Sequence, residues 1–120
     1  MVVAHPYRRV YREQADTDSI AHHGMLDRAF RNKVFPMVDA VEVFNGRGSD
    51  QENVFSGEIA KQFAKGGTGA SDAHKLDDLG TFATDFQFPV RSLDDLIREL
   101  KAGRFSPVAL QKRINVYTNR

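Results

Sequence analysis

The sequence predicts an α/β fold assembled from βα units, and three observations predict it. Short apolar or small-residue runs recur at Val2 to Ala4, Asp39 to Phe44 and Thr68 to Ser71, with the length and content of buried parallel strands. Each run ends in polar residues able to do chemistry. Segments with helical start and stop signals lie between and after them.

Taken in order, Val2-Val3-Ala4 is a strand directly after Met1. A strand buried on both faces needs neighbours, so the chain reads as starting within a domain. Residues 6 to 18 form a polar loop carrying Arg8, Arg9, Arg12 and Asp16. A helix over Ser19 to Val34 follows from Ile20, Leu26, Ala29, Phe30 and Val34. Ser49 and Glu52 have capping-box spacing, and Phe55, Ile59, Ala60 and Phe63 share a face, so a second helix spans Asp50 to Ala64 and stops at Gly66-Gly67. Thr81 to Phe88 is an extended segment closed by Pro89. A third helix opens at Ser92, with Leu93, Leu96, Ile97 and Leu100 on one face and Gly103 as its stop. Phe105 to Val108 is a last short strand, and Ile114 to Arg120 a tail.

Composition narrows the function. The 120 residues suit a single domain, 1–120, with 41% hydrophobic and 28% charged residues, as in ordinary globular chains. Seventeen Lys and Arg against 16 Asp and Glu leave a net charge of +1, so no overall field recruits nucleic acid or an anionic membrane. Anion recognition has to be local. No cysteine is present, which removes disulfides, thiolate metal sites and cysteine nucleophiles. No apolar run reaches the roughly 20 residues of a spanning helix and no signal peptide is visible, so a cytoplasmic location away from membranes is expected.

Ser71-Asp72-Ala73-His74 is the sharpest local signal. In an extended segment, residues two apart project to one side, so Asp72 and His74 are able to offer an oxygen and a nitrogen to one cation. A capping Asp beside a surface His is the plainer alternative. His5 ends the first strand ahead of Pro6, as a ligand or as a structural histidine. Glu42 lies in the otherwise apolar Ala40-Val41-Glu42-Val43-Phe44, where a carboxylate must be paired, metal-bound or edge-facing. Arg8, Arg9 and Arg47 follow strand ends and are able to grip phosphate, or are plain surface charge. His22 and His23 point about 100° apart on a helix and cannot easily serve one metal, so they read as solvated or helix-packing residues. Lys75, beside His74, reads as exposed.

Taken in order, Val-Val-Ala-His-Pro (2 to 6), Val-Glu-Val-Phe-Asn-Gly (41 to 46), Gly-Ala-Ser-Asp-Ala-His (69 to 74) with Leu79-Gly80 and Thr84, and Leu93 to Gly103 resemble the C-terminal portion of the PHP (polymerase and histidinol phosphatase) family. The resemblance implies part of a distorted seven-stranded β/α barrel that hydrolyses phosphoesters with divalent zinc, manganese or iron. His5, Asp72 and His74 match its ligands, Glu42 matches a family carboxylate, and Arg8 and Arg47 are placed for phosphate. The family's His-x-His motif occurs nowhere in these residues, and only four histidines are present. The expectation is therefore an incomplete PHP-like domain holding at most a single ion and inactive by itself, or a non-catalytic metal- or anion-binding remnant. Its ligand would be a phosphorylated small molecule or nucleotide. Half a barrel leaves open edges, so a homo-oligomer or a complementing N-terminal chain is expected.

Overall fold

A computed structural model describes residues 1–9 and 19–110. Strands β1 (Val2–Val3), β2 (Ala40–Asn45) and β3 (Gly66–Ala70) form a parallel sheet in the order β1-β2-β3. Val2 lies opposite Ala40, and Ala40 opposite Gly66. Helix α1 (Ile20–Phe30) and a single turn α2 (Val34–Met37) connect the first pair, and α3 (Asp50–Gln62) the second. The α/β class and the parallel sheet agree with the sequence, while a second, antiparallel pair of strands departs from a simple parallel succession. Among the described residues the strands close no barrel.

The core lies where α1 and α3 meet β2. Leu26, Ala29, Phe35, Val41, Val43, Phe55 and Ile59 are buried together there. Phe35 stacks on Phe63 with ring centroids 5.6 Å apart, and Tyr7 meets Phe55 edge-on at 5.3 Å. Aromatic pairs in these arrangements add to the gain from burial.

Element ends differ from expectation for local reasons. The helix predicted over Ser19 to Val34 is two pieces, because Arg31 caps the first and the Asn32 side chain accepts from Val34 N at 3.0 Å to start another turn. The Ser49–Glu52 capping box forms in both directions, as its spacing predicts. Helix α3 nevertheless ends at Gln62, two residues early, and Ala64 takes the left-handed conformation at φ 50°. Gly66 and Gly67, expected as the stop, begin β3 instead.

Strand β4 (Phe82–Phe86) pairs antiparallel with β5 (Phe105–Ala109), although helix α4 (Leu93–Ala102) joins them. Ser92 caps α4 by accepting from Asp95 N, and Gly103, at φ 67°, turns the chain directly into β5 as predicted. The pair leans on β3. Thr84 Oγ1 donates to Gly69 O at 2.9 Å and accepts from Gly69 N at 3.0 Å. A Cβ on Gly69 would sit 2.6 Å from Ala83 O, so only glycine admits this approach. No helix among the described residues is long and apolar enough to cross a membrane.

The apolar face predicted for α4 exists but is turned outward. Leu93 and Ile97 are 70% and 42% exposed, whereas the buried residue of the helix is Glu99, at 1%. Arg104 holds Glu99 with two bonds of 2.7 Å, and Arg98 Nε reaches it at 3.3 Å. Charge pairing rather than apolar burial therefore seats this helix.

Candidate functional site

Three strand ends deliver polar residues to one edge of the sheet, where α/β sheets place their sites. The turn after β1 supplies His5, Tyr7, Arg8 and Arg9; the end of β2 supplies Asn45 and Arg47; the segment after β3 supplies Asp72 and His74. Five non-glycine residues among those described have positive φ, and four of them, His5, Tyr7, Arg9 and Asp72, stand on this rim. Unfavourable backbone conformations of this kind gather where a site dictates side-chain direction.

Glu42, 8% exposed, is the floor of the site. Its Oε2 accepts from the backbone N of His5 at 2.6 Å and from Asn45 Nδ2 at 3.1 Å. The same Asn45 Nδ2 donates to Asp72 Oδ2 at 3.3 Å, so one amide holds two carboxylates on one side. Asn45 is itself held by Asn53, whose Oδ1 accepts from Asn45 N at 2.9 Å. Arg8 Nη1 pairs with Asp72 Oδ2. His74 turns Nδ1 toward Asp72 O at 2.8 Å, with Asp72 Oδ1 at 3.8 Å. Arg47 Nη1 and His74 N both approach Asp78 Oδ2, at 3.5 and 3.1 Å.

Above this floor an open basin is lined by His5, Tyr7, Arg8, Arg9, Arg47 and His74. Three guanidinium groups, two imidazoles and a phenol make a lining without a carboxylate, with Asp72 and Asp78 behind it. Beneath, a smaller pocket reaches Glu42, Asn45, Asn53 and Ser56.

The six residues expected to form the site do gather here, though not as a ligand shell. Among the described residues no three His, Asp or Glu side chains are arranged to hold a metal ion. His5 meets Glu42 through its backbone, and Arg8 takes an oxygen of Asp72. As arranged, these residues do not fit a divalent cation: a guanidinium already supplies the positive charge at the Asp72 carboxylate. Asn45 and Asn53 hold the rim together. The strand-end position of Asn45 before Gly46 was a signal for it, whereas Asn53 looks like any residue of a first helical turn.

His22 is buried rather than solvated, with Nε2 2.7 Å from Glu58 Oε2 and its ring edge-on to Phe55 at 5.6 Å, so the packing alternative describes it. His23 and Lys75 are exposed. Arg12 and Asp16 of the polar loop, and the tail from Ile114 to Arg120, lie outside the described residues.

Burial opposes ionisation of Asp72, but the Asn45 amide and the charges of Arg8, His5 and His74 prevail and hold its carboxyl below the ordinary 3.8. For Asp78 the His74 backbone N–H is the largest cause of a similar lowering. A carboxyl held below its unfolded value contributes stability above that value, and the contribution is lost as pH falls through the folded one. The urea midpoint should therefore be flat near neutrality and fall as pH drops below 3.8, with a shallower fall in Asp72→Asn. A midpoint that rises on acidification would contradict this.

Residues 50–105 match the family model described as PHP-associated. The match runs from α3 to the start of β5 and includes Asp72 and His74, while His5, Arg8, Glu42 and Arg47 precede it. Neither the curated proteins nor the solved structures yield a match to the chain. The matched residues 50–105 make up a little under half of the chain, and the match is consistent with a PHP-family C-terminal portion.

Proposed function

We propose that this chain binds the phosphoryl group of a phosphorylated small molecule or nucleotide in the basin over Asp72, as a cytoplasmic, non-catalytic anion-binding portion of a PHP-type β/α barrel. The observation that carries the reading is the basin lining itself, with Arg8, Arg9 and Arg47 around one opening and His5, His74 and Tyr7 between them. Planar guanidinium donors match phosphate oxygens in pairs, and a phosphoryl group would accept from Arg8 and Arg47 while Asp72 and Asp78 keep those side chains aimed. The parallel order β1-β2-β3 suits part of such a barrel, and a second copy or a complementing N-terminal chain would supply further strands.

A second reading, metal-dependent phosphoester hydrolysis, is favoured by the gathering of Glu42 and Asp72 on the Asn45 amide. His5, Glu42, Asp72 and His74 would hold zinc, manganese or iron only once Arg8 leaves Asp72. An ion held there would supply Lewis-acid polarisation of the phosphoryl group and an acidified water. Arg47 would then orient the phosphoryl group.

Calorimetric titration of the full chain with inorganic phosphate and with a nucleoside monophosphate separates the readings. Saturable binding is expected, weakened about tenfold in Arg8→Ala or Arg47→Ala, as for loss of a charge-assisted bond. No phosphate binding at all would overturn the first reading. Turnover of a phosphomonoester upon adding manganese or zinc, abolished in Asp72→Ala, would replace it with the second.

A further inference from the structure

We propose that the outward apolar face of α4 is a self-association surface on which two copies of this chain pack their α4 helices antiparallel about a two-fold axis. This inference stands on α4 alone and does not depend on what the basin binds.

The helix is inverted relative to an ordinary surface helix. Asp95 and Glu99 face the protein beside Phe88, Pro89 and Arg104, with the exposed Arg98 at their edge, while Leu93 and Ile97 face outward with the half-buried Leu96 and Leu100 beside them. With 100° between successive residues, these four apolar positions form one stripe whose Leu93–Ile97 edge is exposed, while its Leu96–Leu100 edge borders the buried Glu99. Water contact along a stripe of this kind is unfavourable, and a partner that covers it gains the free energy of burying leucine and isoleucine.

Charge placement selects a second copy as that partner. Asp94 and Lys101 are seven residues apart, two helical turns, and lie on the same flank of the apolar stripe. When two α4 helices run antiparallel about a two-fold axis, Leu93 of one copy meets Leu100 of the other, and Leu96 meets Ile97. Like flanks then face each other in opposite directions, which sets Asp94 of each copy against Lys101 of the other. In a parallel pair about a two-fold axis the Asp94–Lys101 flanks of the two copies lie on opposite sides, so these pairs cannot form. Lys101 is positioned for the antiparallel pairing: its Nζ lies 3.1 Å from Asp39 Oδ1, yet its side chain is 63% exposed and retains donors for a second carboxylate. Asp94 is exposed and makes no ion pair among the described residues. The isologous contact satisfies both charges twice.

A ten-residue helix is about 15 Å long, so this contact is small and the dimer should be a micromolar one. Sedimentation velocity of the full chain across about a hundredfold range of concentration should show a monomer–dimer equilibrium. Ile97→Asp, at an exposed position, should abolish the dimer with the circular dichroism spectrum unchanged. Asp94→Lys and Lys101→Glu should each weaken self-association by about tenfold, through loss of two pairs and gain of like-charge contacts. An equimolar mixture of those two variants should recover dimer. Across the mixed interface the introduced lysine of one variant meets the introduced glutamate of the other, and the native Lys101 of the first meets the native Asp94 of the second. A wild-type chain that stays monomeric at every concentration would overturn the proposal and leave the face to a different chain. A dimer indifferent to Ile97→Asp, or charge variants no better mixed than apart, would overturn it as well.

Discussion

Replacing Phe55 with alanine should lower the stability of this chain by about 3–5 kcal/mol, a large fraction of the roughly 5–15 kcal/mol that holds a domain folded. Phe55 is 1% exposed and central to the packing of α3 on β2. Tyr7 and His22 both rest edge-on against its ring, at 5.3 and 5.6 Å, so the cavity would open beneath the turn that carries Arg8 and Arg9. Urea denaturation should show the loss as a fall in midpoint. Phosphate affinity should fall with it even where the variant is still folded, because the basin loses the support under Tyr7. Phe55→Leu, which keeps much of the volume, should retain most of both. Equal stability of Phe55→Ala and the wild type would mean that the α3–β2 packing is not what holds the fold.

The second large effect is expected at Gly46, where β2 ends. A Cβ built there lies 2.5 Å from Ser71 O and also runs into Thr81 Oγ1. The backbone oxygen has no freedom to rotate aside, so Gly46→Ala must push the segment after β3 away and should cost about 1–3 kcal/mol. Asp72 follows Ser71 directly, so the displacement reaches the carboxylate that aims Arg8. Both stability and phosphate affinity should drop together. Gly57 provides the control, since it is inside α3 with open space where a Cβ would go. Alanine there should gain up to about 1 kcal/mol and leave phosphate affinity unchanged. If Gly46→Ala behaves like Gly57→Ala, the close approach of β2 to Ser71 is not a constraint on the site.

Much of the architecture was legible because its signals are local. The capping box of Ser49 and Glu52, the cap at Ser92 and the left-handed Gly103 each depend on a few neighbouring residues, and all three appear as expected. Boundaries were missed where a distant group intervened. Gly66 and Gly67 look like a helix stop in the sequence, but the Phe105 ring packs against Gly66 and Val43 against Gly67, so both are needed inside a strand. The amphipathic pattern of α4 was legible too; its outward direction was not. Nothing near Glu99 in the sequence announces that Arg104, beyond the Gly103 turn, will clasp it and bury the polar side.

For the site, the sequence by itself determined which residue types stand at each strand end: His5 and Arg8, Glu42 and Arg47, Asp72 and His74. Strand periodicity and the polar residues that end each run are properties of contiguous sequence, so they can be read without the fold. Only the tertiary structure decided how these groups pair. Whether Asp72 meets an imidazole or the guanidinium of Arg8, and whether one amide of Asn45 reaches both Glu42 and Asp72, depends on strand register and on the backbone turn at His5, Tyr7 and Asp72. Distances between residues remote in sequence arise from packing, and a difference of a few ångströms there turns a row of metal-ligand types into a rim of arginines.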